Sequence, residues 1–194
     1  MRPRMVLFSL VALGLLASAY AQDQEPDEPA TGSKSAKSEP LLRRNVVVPI
    51  RDVEQSFPEI SKQTDSGADA SAAAKPIATR MVVFSSRDGA KKLTLSVDEY
   101  EYGSQAVRAY EEAARKGDLP EFEPIAISNV GQQVFAGALK QGGETQIVVT
   151  AVDDTLLVAA MLAGYEDTTE NISKLADLTR MEVAEAHTRV KARR

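Results

Sequence analysis

The chain has 194 residues, 43% hydrophobic and 26% charged, with no cysteine, one histidine and a formal charge of −5. These values suit one modest domain and exclude a collagen-like, repeat-array or wholly disordered chain. The negative charge disfavours a nucleic-acid partner, and the absence of cysteine excludes disulfides and lipid attachment in the bacterial lipoprotein manner.

Met1 to Ala21 reads as a secretory signal peptide. Arg2 and Arg4 give a positive start, Met5 to Ala17 is an uncharged apolar run, and Ala19-Tyr20-Ala21 is a small-x-small cleavage site. The run is shorter than the roughly 20 residues that span a bilayer, so the expected mature chain begins at Gln22 and is soluble and exported, to a bacterial periplasm or exterior. Cleavage removes two arginines and no acids, moving the formal charge from −5 to −7. Gln22 to Pro40 has no large apolar residue and reads as a flexible tether.

A single domain is expected over residues 41–188, with a basic tail at 189–194. Its first core-like residues are Leu41, Leu42 and Val46 to Ile50. A short helix over Arg51 to Phe57 buries Val53 and Phe57 and stops at Pro58. Ser61 to Thr79 is polar and Ala-rich, which predicts a mobile excursion or a functional flap inserted in the domain. MVVF at 81–84 and KKLTLSV at 91–97 flank an Asp-Gly turn and read as a hairpin, with Leu93, Leu95 and Val97 on the core face. Ser104 is placed to cap a helix running to about Lys116, and Gly117 terminates it. Strand-like pieces follow at 125–127, 132–139, 145–152 and 156–162, separated by turn signals at Asn129, Gly142-Gly143 and Asp153-Asp154. A last helix starts with Asp167 as cap and Glu170 three places on, with Ile172, Leu175, Leu178, Val183 and Ala186 as its apolar stripe. The fold class is therefore α+β: a hairpin, a helix, a meander of three to four strands and a C-terminal helix, with two amphipathic helices covering an antiparallel sheet.

The runs LTLSVDEYEYGSQAVRAYEEA, SNVGQQVFAG, TQIVVTAVDDTLLVAAML and NISKLADLTR, spanning about residues 80 to 186, give a layout that resembles PsbP-like small exported α/β/α sandwich domains. The resemblance is one of layout. It implies a scaffold and a non-catalytic accessory or binding role, and carries no functional residue over to this sequence.

The chemistry available is narrow. His187 is the only histidine, so histidine metal clusters and His-dependent triads or dyads are excluded, and the residue itself reads as an inert surface group. Asp98, Glu99 and Glu101, and the Asp153-Asp154 pair, are the densest local acids, but neither set has calcium-loop spacing and the pair reads as turn chemistry. Nucleophile, phosphate-loop and dinucleotide motifs are absent; Ser85 to Gly89 reads as a hairpin turn, and Asn171-Ile172-Ser173 as a glycosylation acceptor discounted in a helix start. If the strand continues past Val97, Asp98, Tyr100 and Tyr102 share one face, and that face is the candidate surface for a ligand or partner. No cofactor and no metal are expected. Three functions compete: a binding or accessory module for a protein or small ligand, a glycan hydrolase working through two carboxylates, and a structural envelope protein held by its basic C-terminus.

Overall fold

The computed structural model describes residues 48–66, 76–115, 121–141 and 143–191. The expected signal peptide and tether lie outside them, as do 67–75 of the expected insertion and 192–194 of the basic tail. Among the described residues, ten elements follow in order. They are α1 (Ile50–Ser56), β1 (Ile60–Ser66), β2 (Ala78–Ser86), β3 (Lys92–Glu99), α2 (Gly103–Ala114), β4 (Phe122–Pro124), β5 (Gln133–Gln141), β6 (Glu144–Asp153), β7 (Leu156–Ala163) and α3 (Thr169–Lys191). The strands form one antiparallel sheet in the order β1-β2-β3-β7-β6-β5-β4. The α+β class and the C-terminal helix are as the sequence predicts.

Alternation along the strands assigns the two faces. On one face, Val82 and Phe84 of β2, Leu93 and Leu95 of β3, Ile147 and Val149 of β6 and Leu162 of β7 are fully buried against Leu175 and Leu178 of α3 and Val53 and Phe57 of α1. Each such side chain removed from water contributes about 1.5–3 kcal/mol. The same packing continues toward the C-terminus of α3, where Val183 and Ala186 meet Val97, Leu156 and Val158. On the opposite face α2 packs through Ala106, Ala109 and Tyr110 against Val152, Leu157 and Phe135. The two helices therefore sit on opposite sides of the sheet, and α2 is half as long as α3. Left-handed residues close the hairpins: Gly89 (φ 73°) between β2 and β3, Gly143 (φ 84°) between β5 and β6, and Asp154 (φ 54°) between β6 and β7, a conformation aspartate tolerates.

Four expectations are corrected. Residues 61–66 of the polar excursion belong to edge strand β1, held by backbone pairing to β2 in the register Thr64↔Val83 and anchored in the core by Ile60 just before them, and residues 78–79 open β2. Residues 125–127 lie beyond the strand: β4 is Phe122–Pro124, the Ile125 N–H still donates to the Ala136 carbonyl at 2.8 Å, and Ile125 and Ile127 pack on the α3-side core. The α3 cap is the Thr168 hydroxyl, which accepts the Asn171 N–H at 3.2 Å, while the Asp167 carboxylate lies 3.3 Å from the Lys140 ammonium. Helix α2 begins at Gly103, one residue before Ser104, and the Gln105 side-chain carbonyl accepts the Tyr102 N–H at 3.3 Å.

Candidate functional site

Strand β3 ends at Glu99, and this decides the fate of the expected Asp98–Tyr100–Tyr102 face. Asp98 still belongs to the ladder, opposite Thr79, whose hydroxyl donates to its carboxylate at 2.6 Å. Burial pushes the Asp98 carboxyl above the ordinary aspartate range, and the Thr79 hydrogen bond opposes this. Tyr100 has left the strand; its N–H donates to the Thr155 carbonyl at 2.8 Å, and its ring is 2% exposed beneath α2, beside Ala106, Ala109 and Val152. Its phenol finds no hydrogen-bond partner, and burial together with the Asp98 carboxylate raises its pKa. Tyr102 alone is exposed, at 59%, where the chain enters α2. The three residues therefore do not form one surface. The strand period stops at residue 99 because the chain turns there to lay α2 across the sheet.

That turn leaves a different surface open. Helix α2 covers the sheet where Asp98, Leu157 and Val152 lie in one row. The next row across the same face is Met81, Ser96, Ala159, Thr150 and Phe135. The row after it is Val83, Thr94, Met161, Val148 and Gly137. Met81, Val83, Val148, Ala159 and Met161 are only half-buried, and among the described residues no helix packs over them. A solvated face of an antiparallel sheet is ordinarily polar. Here the two rows carry no charged side chain: Met81, Val83, Val148, Ala159 and Met161 are apolar and half-buried, among the hydroxyls of Thr94, Ser96 and Thr150. One side is walled by aromatic rings: Tyr110 stands edge-to-face on Phe135 at 5.7 Å, and Phe122 lies 6.3 Å from Phe135, over Gly137. A further row carries Lys62, Ser85 and Lys92 at the open end.

A concavity of about 390 Å³ lies at the start of α3 between Phe57, Pro58, Glu59, Lys91, Tyr165 and Lys174. Its charges are already satisfied internally. The Lys91 ammonium is 2.6 Å from Glu59 and 4.6 Å from the Tyr165 ring centre; Lys174 is 2.6 Å from Glu170. Lys91 holds the Glu59 carboxyl below the ordinary range. Phe57 and Tyr165 meet edge-to-face at 5.1 Å. The arrangement clasps α1 to the start of α3, and its committed cations leave little to bind a ligand.

Two sites escaped the sequence reading. Glu182 of α3 is fully buried, and one carboxylate oxygen accepts the Val48 N–H at 2.7 Å. The other oxygen has no hydrogen-bond partner. Burial pushes this carboxyl up to about 7; the Glu185 charge adds to the rise and Arg80 opposes it. His187 is not an inert surface group: its Nε2 is 2.6 Å from the Asp153 carboxylate, tying the C-terminal turn of α3 to the β6–β7 turn. Either contact joins residues too far apart in sequence for spacing to disclose.

The carboxyls raised in pKa, Asp98 and Glu182, lie on opposite faces of the sheet, so they do not form the acid pair that glycan cleavage needs. No group of three or more metal-ligating residues is assembled among the described residues. No described helix is long and apolar enough to cross a membrane.

No family model and no curated protein matches this sequence. Among solved structures, the chain is similar to the extracellular domain of PknH from Mycobacterium tuberculosis at 9% identity, over 72% of this chain and 93% of that one, with a TM-score of 0.46. It is also similar to a GTP binding regulator from Thermotoga maritima at 11% identity, over 63% of this chain and 77% of that one, with a TM-score of 0.35. Likeness at this level carries nothing about activity.

Proposed function

We propose that this protein is an exported, non-catalytic binding domain whose ligand surface is the half of the sheet that α2 leaves open. The observation that supports this reading is the set of Met81, Val83, Val148, Ala159 and Met161, apolar and half-buried in rows whose polar members are the hydroxyls of Thr94, Ser96 and Thr150 and which lack the charged residues a wet sheet face ordinarily carries. The signal-peptide features of residues 1–21 and the layout resemblance to PsbP-like domains favour the same role and an extracytoplasmic address. The polar chemistry argues against turnover: the two carboxyls raised in pKa, Asp98 and Glu182, lie on opposite faces of the sheet, and the one histidine is engaged with Asp153.

The test is site-specific photo-crosslinking in intact host cells. A benzophenone side chain at position 161, on the open face, is expected to capture a discrete species. The same group at position 174, in the clasp beside Phe57, is expected to capture none. Equal labelling from both positions, or labelling from 174 alone, overturns the assignment of the surface.

A further inference from the structure

The open face has polarity along its length. Near α2 its row contains Asp98, half-buried on Thr79. Six residues along β3 from Asp98, about 20 Å away at the strand rise, the same face ends in Lys92. Lys92 is exposed and makes no ion pair among the described residues. Beside it, across Ser85, stands Lys62, whose ammonium donates to the neutral Arg87 carbonyl at 3.0 Å, so its charge is also uncompensated. Glu144 is the acid on this face at that end, and it lies two strands away on β6. In a chain of formal charge −5, a half-buried apolar stretch closed at one end by two ammonium groups without a carboxylate partner among the described residues is a local inversion of the molecule's charge.

We infer that the open face binds a free anionic amphiphile, a single acyl chain with a carboxylate or phosphate head. The chain lies on Met81, Val83, Ala159 and Met161, and the head meets Lys62 and Lys92. The matching features are the apolar stretch along the strands and the cations at one end only. Thr94, Ser96 and Thr150 lie on this floor, but Thr94 and Thr150 are themselves buried and Met81, Val83, Val148 and Met161 flank them, so the middle of the face suits methylenes better than a sugar or a peptide backbone. This inference rests on the assignment of the open face as the binding surface and adds the class of ligand.

The experiment is a fluorescence titration of the mature chain with 11-(dansylamino)undecanoate and with its uncharged methyl ester. The expected result is saturable enhancement with both probes and tighter binding of the carboxylate. In the Lys62→Gln, Lys92→Gln double variant the carboxylate weakens about tenfold, to the level of the ester, while the ester is unchanged. Met161→Glu, on the floor, abolishes binding of both, with thermal unfolding checked to confirm a folded chain. Equal affinity of the two probes, or a double variant indistinguishable from the parent, overturns the anionic head. Binding of anionic phosphatidylglycerol vesicles without binding of either free probe overturns it in favour of a membrane surface. Failure of both probes while position 161 still crosslinks a species in cells overturns the amphiphile and leaves the open-face reading standing.

Discussion

Replacing Glu182 by glutamine isolates the energetic consequence of a buried acid. In the folded chain this carboxyl titrates at about 7 against an ordinary value of 4.5. Burial is the main cause, since the group is fully enclosed and one of its oxygens is unpartnered. Each pH unit of difference corresponds to about 1.4 kcal/mol, so the shift is equivalent to about 3 kcal/mol of stability. The sign follows from which form the fold disfavours. Below pH 4.5 the group is neutral in both states and the full stability is present; as pH rises toward 7 the unfolded chain ionises while the folded chain resists, and stability is lost. Above pH 7 the loss is complete. Glutamine keeps a carbonyl oxygen for the Val48 N–H and has no proton to release. Urea unfolding of the parent and Glu182→Gln at half-unit steps from pH 4 to 8.5 is the assay, and the difference between the two chains removes the contributions of Asp98 and other acids. The variant should gain on the parent progressively with pH and exceed it by about 2–3 kcal/mol above neutrality. A difference independent of pH, or a parent more stable than the variant at pH 8, refutes the reasoning.

Three further outcomes are expected. Tyr100→Phe removes a buried phenol hydroxyl that has no partner and should be neutral or stabilising by up to about 1 kcal/mol, whereas Tyr100→Ala empties the space under α2 and should lose about 3–5 kcal/mol, both read by chemical denaturation. Gly164→Ala should lose about 2–4 kcal/mol, because residue 164 has φ 80° and an added Cβ would stand 2.2 Å from the Ala90 carbonyl oxygen; its melting temperature gives the value. Thr79→Val deletes the hydroxyl donated to Asp98 and should raise the Asp98 carboxyl further, measurable by NMR titration of that side chain, with an unchanged or lowered value contradicting the assignment.

The central hairpin, the β5–β7 strands and the long helix α3 were legible because burial on one face prints a period of two or 3.6 on the residues: Leu93, Leu95 and Val97 in β3, or Leu175 and Leu178 in α3. Strand β1 was not, because an edge strand with only Ile60 in the core is specified by its backbone pairing to β2, and its polar side chains carry no signal. The Asp98–Tyr100–Tyr102 surface failed through one boundary: two residues beyond Val97 the strand ends, and Tyr100 turns inward. The open face was hidden differently. Each strand shows its apolar residues in the sequence, but that Met81, Ala159 and Met161 become neighbours requires the β3–β7 pairing, which joins strands more than sixty residues apart. The Glu182–Val48 contact spans 134 positions and is beyond any local pattern.

The central claim is that the uncovered half of the sheet on the α2 side is the surface that binds. Native mass spectrometry of the chain recovered gently from the exported fraction of its host, alongside an Ala159→Trp variant, tests it most directly. Ala159 lies in the middle of the floor between Ser96 and Thr150, so an indole there fills the surface without entering the α3-side core. The account predicts a reproducible bound mass on the parent that is absent from a folded variant. The same bound mass on both chains would contradict it.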